Sequence, residues 1–178
     1  TLTHVYQEVE QQGQPYVELT TGGDYEQITL QFGDGEGVAG EEPGYDDEIN
    51  ISNLMVEYDL GGASLLSSSS WLVQDSARNQ DQSALGGFPG PQLGQAAAEV
   101  FSQELRLTSQ LDGSFQYVIG AYYEKVDKDS SFTQWASTDQ LQALFGNPFG
   151  TRLLNISSST DSTDQLAFYG ELSYDLSE

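Results

Sequence analysis

A chain of 178 residues with 37% hydrophobic content is long enough for one ordinary domain or for a piece of a larger one. Its 28 Asp and Glu against five Lys and Arg give a formal net charge of -23, with no Lys or Arg before Arg78; this excludes nucleic acid and anionic surfaces as partners, because binding them needs clustered cations. The lack of cysteine rules out a disulfide scaffold and thiolate metal sites, and no apolar run approaches the roughly 20 residues of a membrane helix, so the chain is either soluble or crosses a membrane as a barrel.

The chain opens at Thr1 with neither a methionine nor a signal peptide, as a processed or excised piece would. Residues 1–9 read as a first strand, weakly patterned because His4 and Glu8 share the face of Leu2 and Tyr6. Alternating Ile28, Leu30 and Phe32 mark residues 25–32 as β, either as a separate strand or as the upper part of the strand at 49–60. Twelve acids lie between Glu8 and Glu48, a pattern that suits a solvated loop.

From Asn50 onward the period of two becomes clear. Leu54, Val56, Tyr58 and Leu60 alternate with Asn53, Met55, Glu57 and Asp59, and a tight turn at Asp59–Gly62 leads into a strand over 63–75. Strands over 100–110 and 115–127 flank a second short turn at Leu111–Ser114, with Phe101, Leu105 and Leu107 on one face and Glu104, Arg106 and Thr108 on the other. The return strand alternates Phe115, Tyr117, Ile119, Ala121 and Tyr123 with a less pure polar face. The last strand, 164–176, sets Leu166, Phe168, Leu172 and Tyr174 against Gln165, Glu171 and Ser173.

Between these strands lie long stretches rich in Gly, Ser, Asp, Asn and Pro, at Glu10–Asp24, Gly33–Glu48, Ser76–Glu99 and Lys128–Thr163. Within the last, Leu141, Leu144 and Phe145 at helical spacing after a Ser-Thr-Asp start predict a short helix over 137–146. Short turns on one side and long loops on the other are how a transmembrane barrel is written. The expected fold is therefore all-β: an antiparallel up-and-down transmembrane β-barrel segment of about six strands.

Catalytic patterns are lacking. His4 is the single histidine, so a histidine triad or a multi-histidine metal site cannot form within the chain. The acidic loop Asp34–Glu48 offers hard oxygen ligands, which makes calcium at Asp34, Glu36, Asp46 and Asp47 a candidate; no other cofactor is expected. Asp127, Asp129 and Ser131 open with calcium-loop spacing, but Phe132 stands at the glycine position and Thr138 at the final acidic one. Tyr58, Phe115, Tyr117 and Tyr174 beside the short turns, with Trp71, Phe101, Tyr123 and Phe168 toward the far ends, suit two interface belts. A sandwich core would give the same alternation.

FSQELRLTS with its short turn and YVIGAYYEK, the strand ISNLMVEYDLG running into ASLLSSSSW, and QLAFYGELSYDLSE together resemble stretches of TonB-dependent outer-membrane receptors. The resemblance covers about two-thirds of the chain and is most specific over Phe101–Glu124 and Gln165–Leu176. It implies a 22-stranded barrel in the bacterial outer membrane that imports a scarce nutrient such as a siderophore, vitamin or carbohydrate. It also implies a plug domain through which an inner-membrane protein delivers energy. Neither a plug nor a coupling box is recognisable here, so the resemblance points to an internal piece of the barrel wall.

On this reading membrane lipid is the first partner, with Leu105, Leu107, Ile119, Phe168 and Leu172 facing it. Trp135, Phe145, Phe149, Arg152 and Arg78 are the candidates near a small nutrient ligand, since loop aromatics and rare cations could grip a chelate or a sugar. No enzymatic step is expected. Two alternatives remain: a soluble, secreted β-sandwich module binding glycan or calcium, and a β-sheet fragment that associates with itself through open edges.

Overall fold

The computed structural model describes residues 1–12, 17–19, 25–27, 44–81, 89–111, 113–136 and 153–176. These form eight strands: β1 (Leu2–Gln12), β2 (Val17–Leu19), β3 (Tyr25–Gln27), β4 (Gly44–Asp59), β5 (Ala63–Asp81), β6 (Pro89–Ser109), β7 (Phe115–Ala136) and β8 (Leu153–Tyr174). Six of them build one antiparallel sheet in the order β1-β4-β5-β6-β7-β8, while β2 and β3 pair separately. The sheet is up-and-down throughout and open at β1 and β8, as expected for a segment of barrel wall.

Turn chemistry sets the register. Between β4 and β5 the chain reverses at Gly61, whose φ of 83° lies where only glycine is unstrained, and the Gly61 N–H donates to Asp59 Oδ1 at 2.7 Å. At the β6–β7 reversal Gln116 fastens the turn, its amide donating to the carbonyls of Leu111 at 2.7 Å and Gly113 at 3.2 Å. The Tyr117 N–H donates to Ser109 Oγ at 2.8 Å, and that hydroxyl donates to Gln116 Oε1 at 2.6 Å.

Several boundaries differ from those read in the sequence. The stretches 76–99 and 128–163 are not loops from end to end: β5 runs to Asp81, β6 starts at Pro89, β7 reaches Ala136 and β8 begins at Leu153. Continuous pairing of Ser130 with Ser159 and of Ala96 with Ser130 shows why. There the backbone ladder extends the strands although the side chains are polar or small on both faces, so no alternation announces them. Residues 25–27 pair with Val17–Leu19 and do not form the upper part of β4. Ile28–Phe32 and the helix expected over 137–146 lie outside the described residues.

A hydrophobic core is almost missing. Among the described residues Ala63, 7% exposed, is the one buried apolar side chain, whereas Phe168 is 77% exposed and Leu172 70%. Among the described residues no second layer packs on either face of the sheet, and the chemistry of the two faces decides what it can do.

Candidate functional site

Residues paired across an antiparallel ladder share a face, so the register sorts every side chain. One face, from the short turns upward, carries the row Tyr58, Leu65, Leu107, Ile119 and Gly170, then Val56, Ser67, Leu105, Ala121 and Phe168. Above these stand Leu2, Leu54, Ser69, Gln103, Tyr123 and Leu166. Leu105, Leu107, Ile119, Phe168 and Leu172, chosen in the sequence as lipid-facing, all fall on this face.

Aromatic rings bound the apolar band. Near the turns Phe115 and Tyr117 have ring centroids 6.0 Å apart, with Tyr58 and Tyr174 at the same end. At the other end Trp71 meets Phe101 edge-on at 6.4 Å, and Phe101 meets Tyr123 at 6.4 Å. Phe168 stands mid-band, opposite Ala121, and belongs to neither belt. The span from Leu166 to Tyr174 matches the roughly 9–11 residues a tilted strand needs to cross a bilayer.

A polar island interrupts the band without leaving its groups unmet. The Gln103 amide donates to Ser67 Oγ at 3.0 Å and to the Glu104 carbonyl at 3.1 Å, while its oxygen accepts from Ser69 Oγ. An amide so satisfied avoids most of the cost that a bare one meets in hydrocarbon.

The opposite face over the same rows is polar, with Glu57, Arg106, Glu104, Tyr122, Glu124 and Gln165. Tyr169 of β8 reaches over Gly120 of β7 and donates its hydroxyl to Glu104 on β6, locking three strands together. Tyr122 donates to Glu124 at 2.7 Å.

Just above the upper aromatic row the two faces exchange character. Val5, Ile51, Leu72, Val100 and Val126 form an apolar row on the previously polar face. The previously apolar face turns acidic, with Glu8, Glu48 and Asp75 directly opposite one another and Glu10 opposite Asp46. These acids line an open depression of about 820 Å³ shared with Asp129, Ser131 and Thr160. Outside the band, the Lys125 ammonium, at 2.7 Å, and the Ser162 hydroxyl hold the Asp127 carboxyl below the usual carboxylate range. Burial and the neighbouring Asp47 push the Tyr45 phenol up.

Of the calcium candidates, Asp34 and Glu36 lie outside the described residues. Asp46 and Asp47 are strand neighbours on opposite faces: Asp46 is exposed, whereas Asp47 is nearly buried and accepts from the Gln74 amide at 2.8 Å. The two cannot close together on one ion, and among the described residues no cluster of His, Asp or Glu is placed to hold a metal.

Of the ligand candidates, Phe145, Phe149 and Arg152 also lie outside the described residues. Arg78 stands on the β5 face that carries Tyr45 and Gln80, while Trp135 follows Gln134 beside a bulge in the β7–β8 ladder and so alternates to the other face. The register does not bring Arg78 and Trp135 together. Sequence reasoning missed the Gly120–Tyr169–Glu104 joint and a row of carboxamides at Gln80, Gln92, Gln134 and Asn155. Neither has a local motif, because each is assembled from three or four separate strands.

Comparison with protein families, curated proteins and solved structures returns no match to this chain.

Proposed function

We propose that this chain is part of the wall of a β-barrel in the bacterial outer membrane, with the Leu105–Phe168–Leu172 face toward lipid and the Glu104–Tyr122–Tyr169 face toward the lumen. The observation that carries this reading is an uncovered apolar face bounded by two aromatic rows, backed by a polar face over the same rows. In water so large an apolar surface would demand a covering partner. In a bilayer lipid is that partner, and alternation of apolar-out with polar-in is the pattern a barrel requires.

Within that class the proposed activity is nutrient import by a TonB-dependent receptor, with the energy-coupling partner acting through a plug domain and no chemical step on the cargo. This finer assignment rests on the sequence resemblance over Phe101–Glu124 and Gln165–Leu176. A soluble sandwich would need a second sheet over the apolar face, and among the described residues no such sheet covers it.

The test compares two neighbouring substitutions during insertion of the detergent-extracted protein into lipid vesicles. Leu172→Arg places a cation on the lipid face near the turn end of the band, and arginine on the lipid face costs up to roughly 2–4 kcal/mol at the midplane and less toward the interface. Glu171→Arg points to the lumen and should insert normally. Equal yields from the two variants would sink the assignment of faces.

A further inference from the structure

The outer end of the face that is polar within the band carries a further alignment. Gln80 of β5, Gln92 of β6, Gln134 of β7 and Asn155 of β8 are consecutive cross-strand partners, so four carboxamides stand in one row across four adjacent strands. Neighbouring strands lie about 4.8 Å apart, which makes the row roughly 14 Å long. From Trp71 at the upper aromatic row to Gln80 the strand rises roughly 30 Å, so the row lies well beyond the bilayer.

The side chains are not equally engaged. With its amide turned to present oxygen, Gln80 accepts from the Arg78 guanidinium. Gln80 is also buried, at 7% exposure, whereas among the described residues the amides of Gln92, Gln134 and Asn155 make no side-chain hydrogen bond, so these three carry the donors and acceptors for a ligand. In the next row toward the membrane Tyr45 and Phe132 stand on the same face.

We infer that this row is a binding site for a neutral, polyhydroxylated ligand, a glycan segment of a few sugar rings. The inference rests on the barrel-wall reading, which makes this face the luminal one. Carboxamides both donate and accept, as sugar hydroxyls do, and they do so without charge. Aromatic rings one row away supply the apolar surface that the C–H faces of sugars require. Anionic ligands are disfavoured, since among the described residues Arg78 is the one cation near the row, its guanidinium is occupied by Gln80, and the chain as a whole carries -23. Bare cations are no better served, because the row itself holds no carboxylate.

The experiment uses the native detergent-extracted protein and isothermal titration with maltohexaose and cellohexaose, with hexagalacturonate as the anionic control. Binding of at least one neutral hexamer is expected, weakened tenfold or more in a Gln92→Ala/Gln134→Ala double variant whose near-ultraviolet circular dichroism is unchanged. A Gln134→Glu variant, which keeps shape but adds charge, should also lose affinity. Failure of both neutral hexamers to bind folded, detergent-dependent protein overturns the inference and leaves the barrel reading standing. Equal affinity for hexagalacturonate overturns it as well. A protein that folds and stays monomeric without detergent overturns the barrel reading itself, and the inference with it.

Discussion

Replacing Gly120 by alanine would test the joint that ties β6, β7 and β8 together. A Cβ built on Gly120 would stand 2.6 Å from Tyr169 Cε1 and closer still to Cζ and Oη, well inside van der Waals contact. The ring must then leave, and its hydrogen bond to Glu104 goes with it. Overpacking of this kind costs roughly 1–3 kcal/mol. Loss of the bond to a carboxylate adds about 1 kcal/mol, below the roughly 1.5–3 of charged partners because both groups are part-solvated. The predicted destabilisation of Gly120→Ala is therefore about 2–4 kcal/mol. Urea unfolding in vesicles, followed by fluorescence of the two tryptophans, reads it. The decisive comparison is Gly120→Ala in a Tyr169→Ala background, where the ring atoms that the added methyl would strike are gone. There it should cost nothing, or stabilise by roughly 0.5–1 kcal/mol as glycine loses its excess backbone entropy. A cost that is the same with and without the Tyr169 ring would refute the reasoning.

Three further outcomes are expected. Ser67→Ala or Ser69→Ala leaves part of the Gln103 amide without a partner on the face proposed to meet lipid and should cost about 1–3 kcal/mol, whereas Gln103→Leu should be tolerated; the reverse order in the same unfolding assay would count against a lipid environment. Glu48 faces Glu8 on one side and Asp75 on the other, so Glu48→Gln should stabilise by up to about 1 kcal/mol, with the gain shrinking as ionic strength rises. Asp127 is held below its ordinary value, first by Lys125 and then by Ser162, so the contribution of the pair is present at neutral pH and lost as pH falls through that depressed value. Lys125→Met should therefore move the Asp127 titration upward toward the ordinary carboxylate range in carbon-detected NMR, without altering insertion.

The strands that sequence reasoning located well are those where the two faces meet different surroundings. In Leu166–Tyr174 every second residue is apolar because one side is uncovered by protein and the other is polar, and the period of two is plain. The same strand continues through SSSTDSTD, where both sides are polar and nothing alternates; the ladder to β7 holds it, and a ladder is a property of two chains of residues, not one. The same reason made Ala96–Ala98 and Lys128–Ser131 look like loop. The apolar residues of that face were legible one strand at a time, and their union on a single face needed the register. Asp46 and Asp47 show a different limit: the acidic stretch Asp34–Glu48 read as a loop offering oxygen ligands, yet its end from Gly44 is strand, and extended backbone sends these two neighbours to opposite faces. The Tyr169–Glu104 contact bridges residues 65 positions apart, beyond any local pattern.

The most direct test of the central claim is a cysteine scan from Leu166 to Tyr174, made possible by the natural absence of cysteine. Each variant is reconstituted in vesicles, labelled with an environment-sensitive fluorophore, and exposed to a lipid-borne quencher or to aqueous iodide. The barrel wall predicts a period of two: Leu166, Phe168, Leu172 and Tyr174 quenched from the lipid, Ala167, Tyr169, Glu171 and Ser173 from water. Uniform quenching by iodide along the whole stretch would contradict it.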